Sequence, residues 1–516
     1  MKQDAQVFLQ KTTGINCDIL RGLSLNSLVD DSRMVEGAAA FVALEGALYH
    51  GKEFTNSAIE RGARLVICET KSDKEHGSIS WVDDQTGSLK VPLIKIFDLR
   101  KILANLAANF YNNPGERLSI YGVTGTNGKT SVCHYLNQAN NFLGCKFGMI
   151  GTLGFGYGPK LKEHHYPITT PSACELAREI WILSQNRVEG LAIELSSHAL
   201  VQSRCNLEDI DVAIFTNLSH DHLDYHKTEE QYFQAKELLF KTTNIEKFVI
   251  NADDSYGLHL LENEAKSDQK EIYGYSLNPP KKRTRWNPIW PKNWVSGRDG
   301  FQGEIVTPWG EIEVKSPLLG LHNLSNLLTI ITSLAIGGHS LDSIVESVGK
   351  LRPVPGRFEI FSELGTPKVI LDYAHGPGSL EALLTTLRKD FLTKNGKIYC
   401  VFGLGGNRDR SKRSLMGAVA EKYADGIIIT SDNPRNEKPE EIGNDILKGI
   451  RKRDFASFIA DRTTAIEEVI LTANVDDLVV ICGKGEEKYQ IFGQTKHFYA
   501  GDRLIAKNSL KEYQAR

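Results

Sequence analysis

Gly122-Val123-Thr124-Gly125-Thr126-Asn127-Gly128-Lys129-Thr130 follows the apolar run Leu118–Val123. It leads into a segment where Val132, Leu136, Ala139 and Leu143 recur at three- and four-residue spacing. That pattern is a strand, a glycine loop and a helix with one buried face. Glycines let backbone N–H groups curl round a phosphate, and a lysine can reach its β and γ oxygens. A hydroxyl at the helix start can ligate Mg²⁺, where the helix dipole favours anions. Lys129 and Thr130 fill the last two roles. The outer glycine lies one residue further upstream than in the common G-x4-GK spacing, and Gly125 is internal. The stretch reads as a nucleotide-phosphate loop on an α/β sheet.

Strand-like runs continue downstream at Leu191–Leu195, Val212–Phe215 and Phe248–Ile250 with helical stretches between them, as in a mostly parallel sheet. Asn112-Asn113-Pro114-Gly115 upstream and Pro353-Val354-Pro355-Gly356 downstream are turn signals. They bound three domains at 1–113, 114–354 and 355–516. The first alternates short apolar runs (Ala40–Leu44, Arg64–Cys68, Val91–Phe97) with polar turns and reads as a small α/β domain. In the third, strands at Lys368–Leu371, Ile398–Leu404, Gly426–Thr430, Ser457–Ala460 and Leu478–Cys482 alternate with helical or loop segments. That is the signature of a Rossmann-like doubly wound sheet. The expected fold is therefore α/β in three domains around a central P-loop ATPase-like sheet.

The totals exclude several classes. A chain of 516 residues with 41% apolar and 24% charged residues has the balance of a soluble globular protein. A net charge of -3 gives no bulk field for nucleic acid or anionic membrane, so anionic substrates must be gripped by local Arg and Lys. Eight cysteines stand singly from Cys17 to Cys482 without a CxxC pair, which fits a reducing compartment. Met1 to Gly14 lacks the apolar core of a signal peptide, and no run is long enough for a membrane span. A cytoplasmic protein, expected to be a monomer without membrane insertion, follows. Asn278–Arg298 carries Trp286, Trp290 and Trp294 among Lys281, Lys282, Arg283 and Arg285. Aromatics among basic residues can form a single-stranded nucleic-acid platform. The preferred reading is a proline-punctuated surface loop, with no nucleic-acid partner.

The guanine-reading N/T-K-x-D pattern occurs only as Thr70-Lys71-Ser72-Asp73, upstream of the glycine loop, so ATP is the expected nucleotide. Glu194, in Glu194-Leu195-Ser196-Ser197-His198, ends a strand, where a Walker-type Mg²⁺ ligand belongs. Thr216 to His226 then brings His220, His222 and His226 within seven residues, which alone would suggest zinc. Polyphosphate chemistry instead asks for hard oxygen ligands on Mg²⁺.

The motifs TGTNGKT, ELSSH, DHLDYH, GLHNLSN, PGRFE, DYAH and GKGEEKYQ, in this order from Asp31-Ser32-Arg33 to Asp502-Arg503, resemble the Mur ligase family. Those enzymes build the peptide stem of peptidoglycan by ATP-driven amide formation through an acyl phosphate. The late motifs are most similar to members that add the third residue. The resemblance implies that Gly125, Thr126, Asn127, Gly128, Lys129, Thr130 and Ser131 hold ATP, with Asn323, Arg357 and Asp372 completing its site. Asn323 would contact the base, or cap its helix; Arg357 would face the γ-phosphate and Asp372 the ribose. It makes Lys129, Glu194, His222, Lys236 and Arg357 the catalytic set and Thr130, Glu194, His222 and Lys236 the metal set. Bare sequence reads Lys236 as a solvated helix lysine; the family implies N6-carboxylysine. Ser32, Thr169, Thr170, Ser197, Gln202, Arg204 and Lys236 match positions that bind the UDP-N-acetylmuramoyl dipeptide. Where relatives often carry His-Gln, Ala47-Leu48 follows Gly46.

The third domain should choose the amino acid. Asp432-Asn433-Pro434-Arg435 follows a strand, and an Asp and an Arg on a stiff turn can pair with an ammonium and a carboxylate. meso-Diaminopimelate offers both at its far end, whereas L-lysine has no distal carboxylate for the guanidinium fork. Arg408, Gly483 and Glu487 complete the family's contacts, with Asp432, Asn433 and Arg435. Asn407 stands where GGDRD is common, and Glu486 where GKGHE is common. Adding lysine, another diamine or D-alanyl-D-alanine, a folylpolyglutamate-type reaction, and a non-catalytic nucleotide-binding regulator are the alternatives.

Overall fold

Glycine loop and helix connect strands of an eleven-stranded sheet, the largest among the described residues. The computed structural model describes residues 2–516 apart from 47–49, 85, 86, 88, 167, 267 and 268. Ala47-Leu48 therefore lies outside the described residues. Ser119–Thr124 is flanked by Gly190–Glu194 on one side and Val212–Phe215 on the other, all parallel. Parallel pairing continues from Phe147–Gly151 at one side to Lys247–Asn251, Glu271–Tyr275 and the start of Asn287–Gly297 at the other. Antiparallel hairpins finish both edges. Gly190–Glu194 and Phe147–Gly151 are buried throughout, as expected of parallel strands covered on both faces. After Ser119–Thr124 the chain turns one way to Phe147–Gly151 and later the other way to Val212–Phe215. The phosphate loop thus sits at a topological switch, where open α/β sheets bind ligands.

The Trp-rich segment departs from the sequence reading. Asn287–Gly297 is a strand, paired with Gly300–Thr307. Pro288 and Pro291 had marked it as loop, since proline cannot donate to a ladder. The strand lies next to the outer hairpin, and its register breaks between Lys292 and Val295, where Asn293 takes φ 50°. Two of the tryptophans pack inward: Trp286 occupies the space a side chain at Gly274 would need, and Trp294 does so at Gly303.

Before this sheet, five strands order as Ser27–Val29, Ala39–Ala43, Ala63–Thr70, Lys90–Phe97 and Ile79–Asp83, parallel except the last. Their core extends onto Ala173, Cys174 and Ala177 of the helix Ala173–Gln185, which ties this sheet to the central one. After the central sheet, six strands order as Glu359–Phe361, Lys368–Asp372, Leu478–Cys482, Ile398–Phe402, Gly426–Ile429 and Ala456–Phe458. Only the first is antiparallel, and apolar clusters cover both faces, so this sheet is doubly wound. No helix among the described residues is long and apolar enough to cross a membrane.

Candidate active site

The phosphate loop is clamped to the neighbouring strand end. Thr126 N–H donates to the Asn217 carbonyl at 2.8 Å, Asn127 N–H to Asn217 Oδ1 at 3.0 Å, and Thr216 Oγ1 to the Asn127 carbonyl at 2.6 Å. Gly125 has φ 145°, and a Cβ there would stand 1.9 Å from Thr216 Oγ1, so only glycine fits. Lys129 opens the helix Lys129–Phe142 and curls back to donate to the carbonyls of Gly125 and Thr126, each at 2.9 Å. Burial lowers its pKa, against the pull of Glu194.

Beside it, Thr130 Oγ1 donates to Glu194 Oε2 at 2.9 Å. Thr152 holds the same carboxylate from the other side, its N–H on Oε1 at 2.8 Å and its hydroxyl on Oε2 at 3.2 Å. Glu194 is completely buried, and burial raises its pKa. From the third sheet, Arg357 Nη2 donates to Thr130 Oγ1 at 3.4 Å, its guanidinium stacked 4.3 Å over Tyr373. Asp372 accepts N–H groups from Phe358 and Ala374 at 2.8 and 2.7 Å, which fixes the turn carrying Arg357. Thr130, Glu194 and Arg357, 227 residues from Thr130, thus converge on one end of the loop, and Ser131 is buried in the helix beside Thr130.

A second group meets the other end. Lys236, on the helix Glu229–Glu237, is buried and donates to the Gly125 carbonyl at 2.8 Å. Burial, then the charge of Lys129, holds its pKa well below the lysine range. A solvated helix lysine is excluded. His222 sits at φ 55° just before the short helix Leu223–His226; burial lowers its pKa to about 3, so it is a neutral imidazole at pH 7. His198 packs on it with ring centroids 5.2 Å apart.

Asp221, Lys412 and His375 were not singled out as functional by the sequence reading. Lys412 Nζ and His375 Nε2 each lie 3.4 Å from Asp221, drawing the third sheet onto the central one. These groups, with His222, hold the Asp221 carboxyl well below its usual range despite burial.

Asn323 is not a cap: Gly320 occupies that position, and Asn323 lies within the helix Leu321–Ile336. It accepts from Tyr135 at 3.3 Å and donates to the Leu319 carbonyl at 2.9 Å.

Thr170, Gln202 and Arg204 are joined, because Arg204 donates to the Thr170 carbonyl at 2.8 Å and to Gln202 Oε1 at 2.8 and 3.0 Å. Thr170 in turn donates to the Glu194 carbonyl, Thr169 Oγ1 lies 3.2 Å from Thr152 Oγ1, and Ser197 meets His226 Nε2 at 2.9 Å. Gln202 and Arg204 share a cavity of about 200 Å³ with Asp30, Leu44 and Arg100 of the first sheet's unit. Arg100 belongs to no motif and was missed. Ser32 is buried beside the Asp31–Arg33 pair, whose guanidinium lies 4.9 Å over Tyr166.

On the third sheet, Lys484 is fully buried and donates to Glu487 Oε2, Asn433 Oδ1 and Asp432 Oδ1 at 3.0, 3.2 and 3.3 Å. Gly483 takes φ 108° so that the backbone passes Asp432 closely. Arg435 donates to the carbonyls of Gly406 and Asn433, and a Cβ at Gly405 would touch both Arg435 and Arg408. Burial and the like charge of Arg408 lower the Arg435 pKa. Asn407 fastens this turn by accepting Asn436 N–H at 3.1 Å. Glu486 pairs with Arg503, which also pairs with Glu359, so its charge is countered locally. A cavity of about 560 Å³ runs between the two sheets, lined by Thr130, Thr169, Arg357, Lys484 and Glu487 among others.

Three family models match in succession: the Mur ligase family catalytic domain at residues 26–111, the Mur ligase middle domain at 123–334 and the Mur ligase glutamate ligase domain at 356–485. A UDP-N-acetylmuramoyl-L-alanyl-D-glutamate–2,6-diaminopimelate ligase of Coxiella burnetii is 37% identical over 487 residues, 94% of this chain and 95% of that one. The ligase of the same name from Buchnera aphidicola is 36% identical over 480 residues, 92% and 93% of the two chains. A solved structure bearing that enzyme name superposes with a TM-score of 0.66 at 30% identity, covering all of both chains. A MurF structure from Acinetobacter baumannii, 16% identical over 99% of each chain, shares the fold with a TM-score of 0.67. On these matches and this geometry, the chain belongs to the Mur ligase family.

Proposed function

We propose that this protein joins meso-2,6-diaminopimelate to the D-glutamate carboxylate of UDP-N-acetylmuramoyl-L-alanyl-D-glutamate, driven by ATP, in cytoplasmic peptidoglycan precursor synthesis. The observation that carries the reading is the cavity shared by Thr130, Arg357 and Glu487. It connects a phosphate-handling group to an amino-acid-type pocket. Residues 1–113 and the Gln202–Arg204 region hold the UDP-sugar dipeptide, 114–354 the ATP, and 355–516 the incoming amino acid.

A carboxylate is a poor acyl donor. Its oxygen attacks the γ-phosphorus, the bond to ADP breaks, and an acyl phosphate forms. The amine nitrogen then attacks the carbonyl carbon, loses a proton, and phosphate leaves. Lys129 and Arg357 balance the charge on the transferring phosphoryl group, and catalysis is largely positioning. The donors fit Mg²⁺: a fully buried carboxylate with a hydroxyl beside it, and a neutral imidazole. Thr130 and Glu194 would hold one ion and His222 a second, supplying charge neutralisation between ATP and the acceptor carboxylate. Lys236 is suited to carbamylation because its depressed pKa frees the amine lone pair to attack the carbon of CO₂. One N–H proton is released, and the resulting N6-carboxylysine is an anion that can orient the metal.

Asp432, Asn433, Arg435, Arg408, Gly483 and Glu487 form the acceptor pocket. Two neighbouring guanidiniums suit a carboxylate, and the carboxylates of Asp432 and Glu487 suit an ammonium. The test is phosphate release from ATP with the UDP-linked dipeptide and either meso-diaminopimelate or L-lysine. Turnover with diaminopimelate well above that with lysine is the expected result. Equal or greater turnover with lysine would overturn the acceptor assignment. No amino-acid-dependent release with any acceptor would favour a non-catalytic regulator.

A further inference from the structure

Outside the motifs, His164 and Glu179 form a buried pair of titratable side chains behind the phosphate loop. Their side chains are 2% and 3% exposed. Glu179 projects from the helix Ala173–Gln185, and His164 comes from the segment before Thr169. His164 Nδ1 lies 2.7 Å from Glu179 Oε1, and Nε2 lies 2.7 Å from the carbonyl oxygen of Gly151. A carbonyl only accepts, so Nε2 carries a proton. The bond to Glu179 then holds the ring in place, and Phe155 stacks on it at 6.0 Å with planes 17° apart. Glu175 adds a third potential ligand within 4.8 Å. Both ring nitrogens are nevertheless already engaged, and the group is complete as hydrogen bonds rather than as a metal site.

Gly151 connects this pair to the chemistry. It is the last residue of the strand Phe147–Gly151, and a Cβ on it would stand 2.1 Å from Glu194 Oε1. The next residue, Thr152, supplies two of the hydrogen bonds that fix Glu194, at 2.8 and 3.2 Å. Moving the Gly151 carbonyl turns the Gly151–Thr152 peptide plane, and with it the Thr152 N–H, because the peptide unit is rigid.

We infer that His164 and Glu179 are positioning residues that lock the Gly151–Thr152 peptide and so aim the Glu194 carboxylate at the metal. This rests on the proposed role of Glu194 as a Mg²⁺ ligand. Groups that hydrogen-bond a metal ligand directly, as Thr152 does Glu194, commonly tune metal affinity by about 10- to 100-fold, and His164 acts one step further out, so the lower end, about tenfold, is expected. His164→Phe keeps the ring stack and removes both hydrogen bonds. His164→Gln retains an N–H that can reach the Gly151 carbonyl. Glu179→Gln keeps an oxygen opposite Nδ1 while removing the carboxylate.

The test is Mn²⁺ binding to the ADP complex, followed by electron paramagnetic resonance, together with the Mg²⁺ concentration giving half-maximal turnover. In His164→Phe the Mn²⁺ dissociation constant and the half-saturating Mg²⁺ concentration should both rise about tenfold, while the KM for the amino acid stays within twofold; His164→Gln should recover most of the loss. If His164→Phe does not fold, Glu179→Gln decides on the same measurements, and a matching weakening supports the inference. A folded variant whose Mn²⁺ affinity and Mg²⁺ requirement stay within twofold of the parent overturns it. Glu194→Gln separates the two levels. If it weakens Mn²⁺ binding while His164→Phe does not, only the positioning role falls. If Glu194→Gln leaves binding unchanged, the metal assignment itself falls.

Discussion

Lys129 and Lys236 donate to one acceptor, the carbonyl oxygen of Gly125, at 2.9 and 2.8 Å. Both ammonium groups are buried, and burial lowers both pKa values, with the charge of Lys129 depressing Lys236 further. Two cations on one neutral oxygen call for an anion. On the proposed function, a nucleotide phosphate would supply it on Lys129, and a carbamate on Lys236 would replace repulsion by attraction.

Lys236→Ala should therefore lower kcat by about 10²- to 10³-fold, the range for losing one preorganised charged group at a reacting centre. Short carboxylic acids added to the variant should restore part of the rate, since they return an anion to the vacated space. Loss without rescue at any acid concentration would mean that Lys236 acts as an ammonium or through packing.

Arg357 reaches Thr130 from another sheet, so in the proposed reaction it would meet the phosphate only when the two units are together. Arg357→Ala should reduce single-turnover phosphoryl transfer by about 10²-fold or more while leaving the fold intact by circular dichroism. A change confined to the KM for the amino acid would place Arg357 elsewhere in the cycle.

Arg435 sits beside Arg408, and burial and that neighbour lower its pKa, as expected of a fork awaiting a carboxylate. Arg435→Ala should raise the KM for diaminopimelate by about 10- to 100-fold, the worth of a charge-assisted hydrogen bond, and leave the KM for ATP within twofold. Equal changes in both would show that Arg435 only braces the turn it bonds.

His134 lies on the helix after the phosphate loop, with Nδ1 buried and unpartnered, and burial lowers its pKa from 6.5 to about 4. The folded state holds it neutral while the unfolded chain protonates it below pH 6.5, so its contribution is fully present above that pH and is lost as pH falls toward 4. Across that window the slope of stability with pH should be shallower in His134→Gln by up to about 1.4 kcal/mol per pH unit, one proton's worth of linkage. Urea unfolding at pH 7, 6 and 5 measures it, and parallel curves would refute the assignment.

Local chemistry was legible in the sequence wherever one residue type does one job. The strand, glycine loop and helix at 118–143, the buried strand end at Glu194 and the turn at Asp432–Arg435 all announced themselves through spacing. Lys236 did not, because a lysine on an amphipathic helix looks solvated until tertiary packing buries it; only the family resemblance marked it. Asn287–Gly297 was misread because its prolines mimic a loop, whereas the strand tolerates them next to the outer hairpin and at a register break. Asn323 looked like a cap because it stands one turn from Gly320, whose φ of 83° shows where the cap lies. Asp221–Lys412 joins residues 191 positions apart, and no local pattern encodes such a partnership. The same holds for Glu486, whose pairing with Arg503 no local motif announces.

The most direct test of carboxylate activation by ATP is oxygen transfer. The UDP-linked dipeptide would be prepared with ¹⁸O in the D-glutamate side-chain carboxylate and turned over with ATP, Mg²⁺ and meso-diaminopimelate, and the released phosphate analysed by mass spectrometry. One ¹⁸O should appear in each phosphate, with release dependent on the amino acid. Phosphate free of ¹⁸O, formed alongside the amide product, would contradict an acyl phosphate at this site.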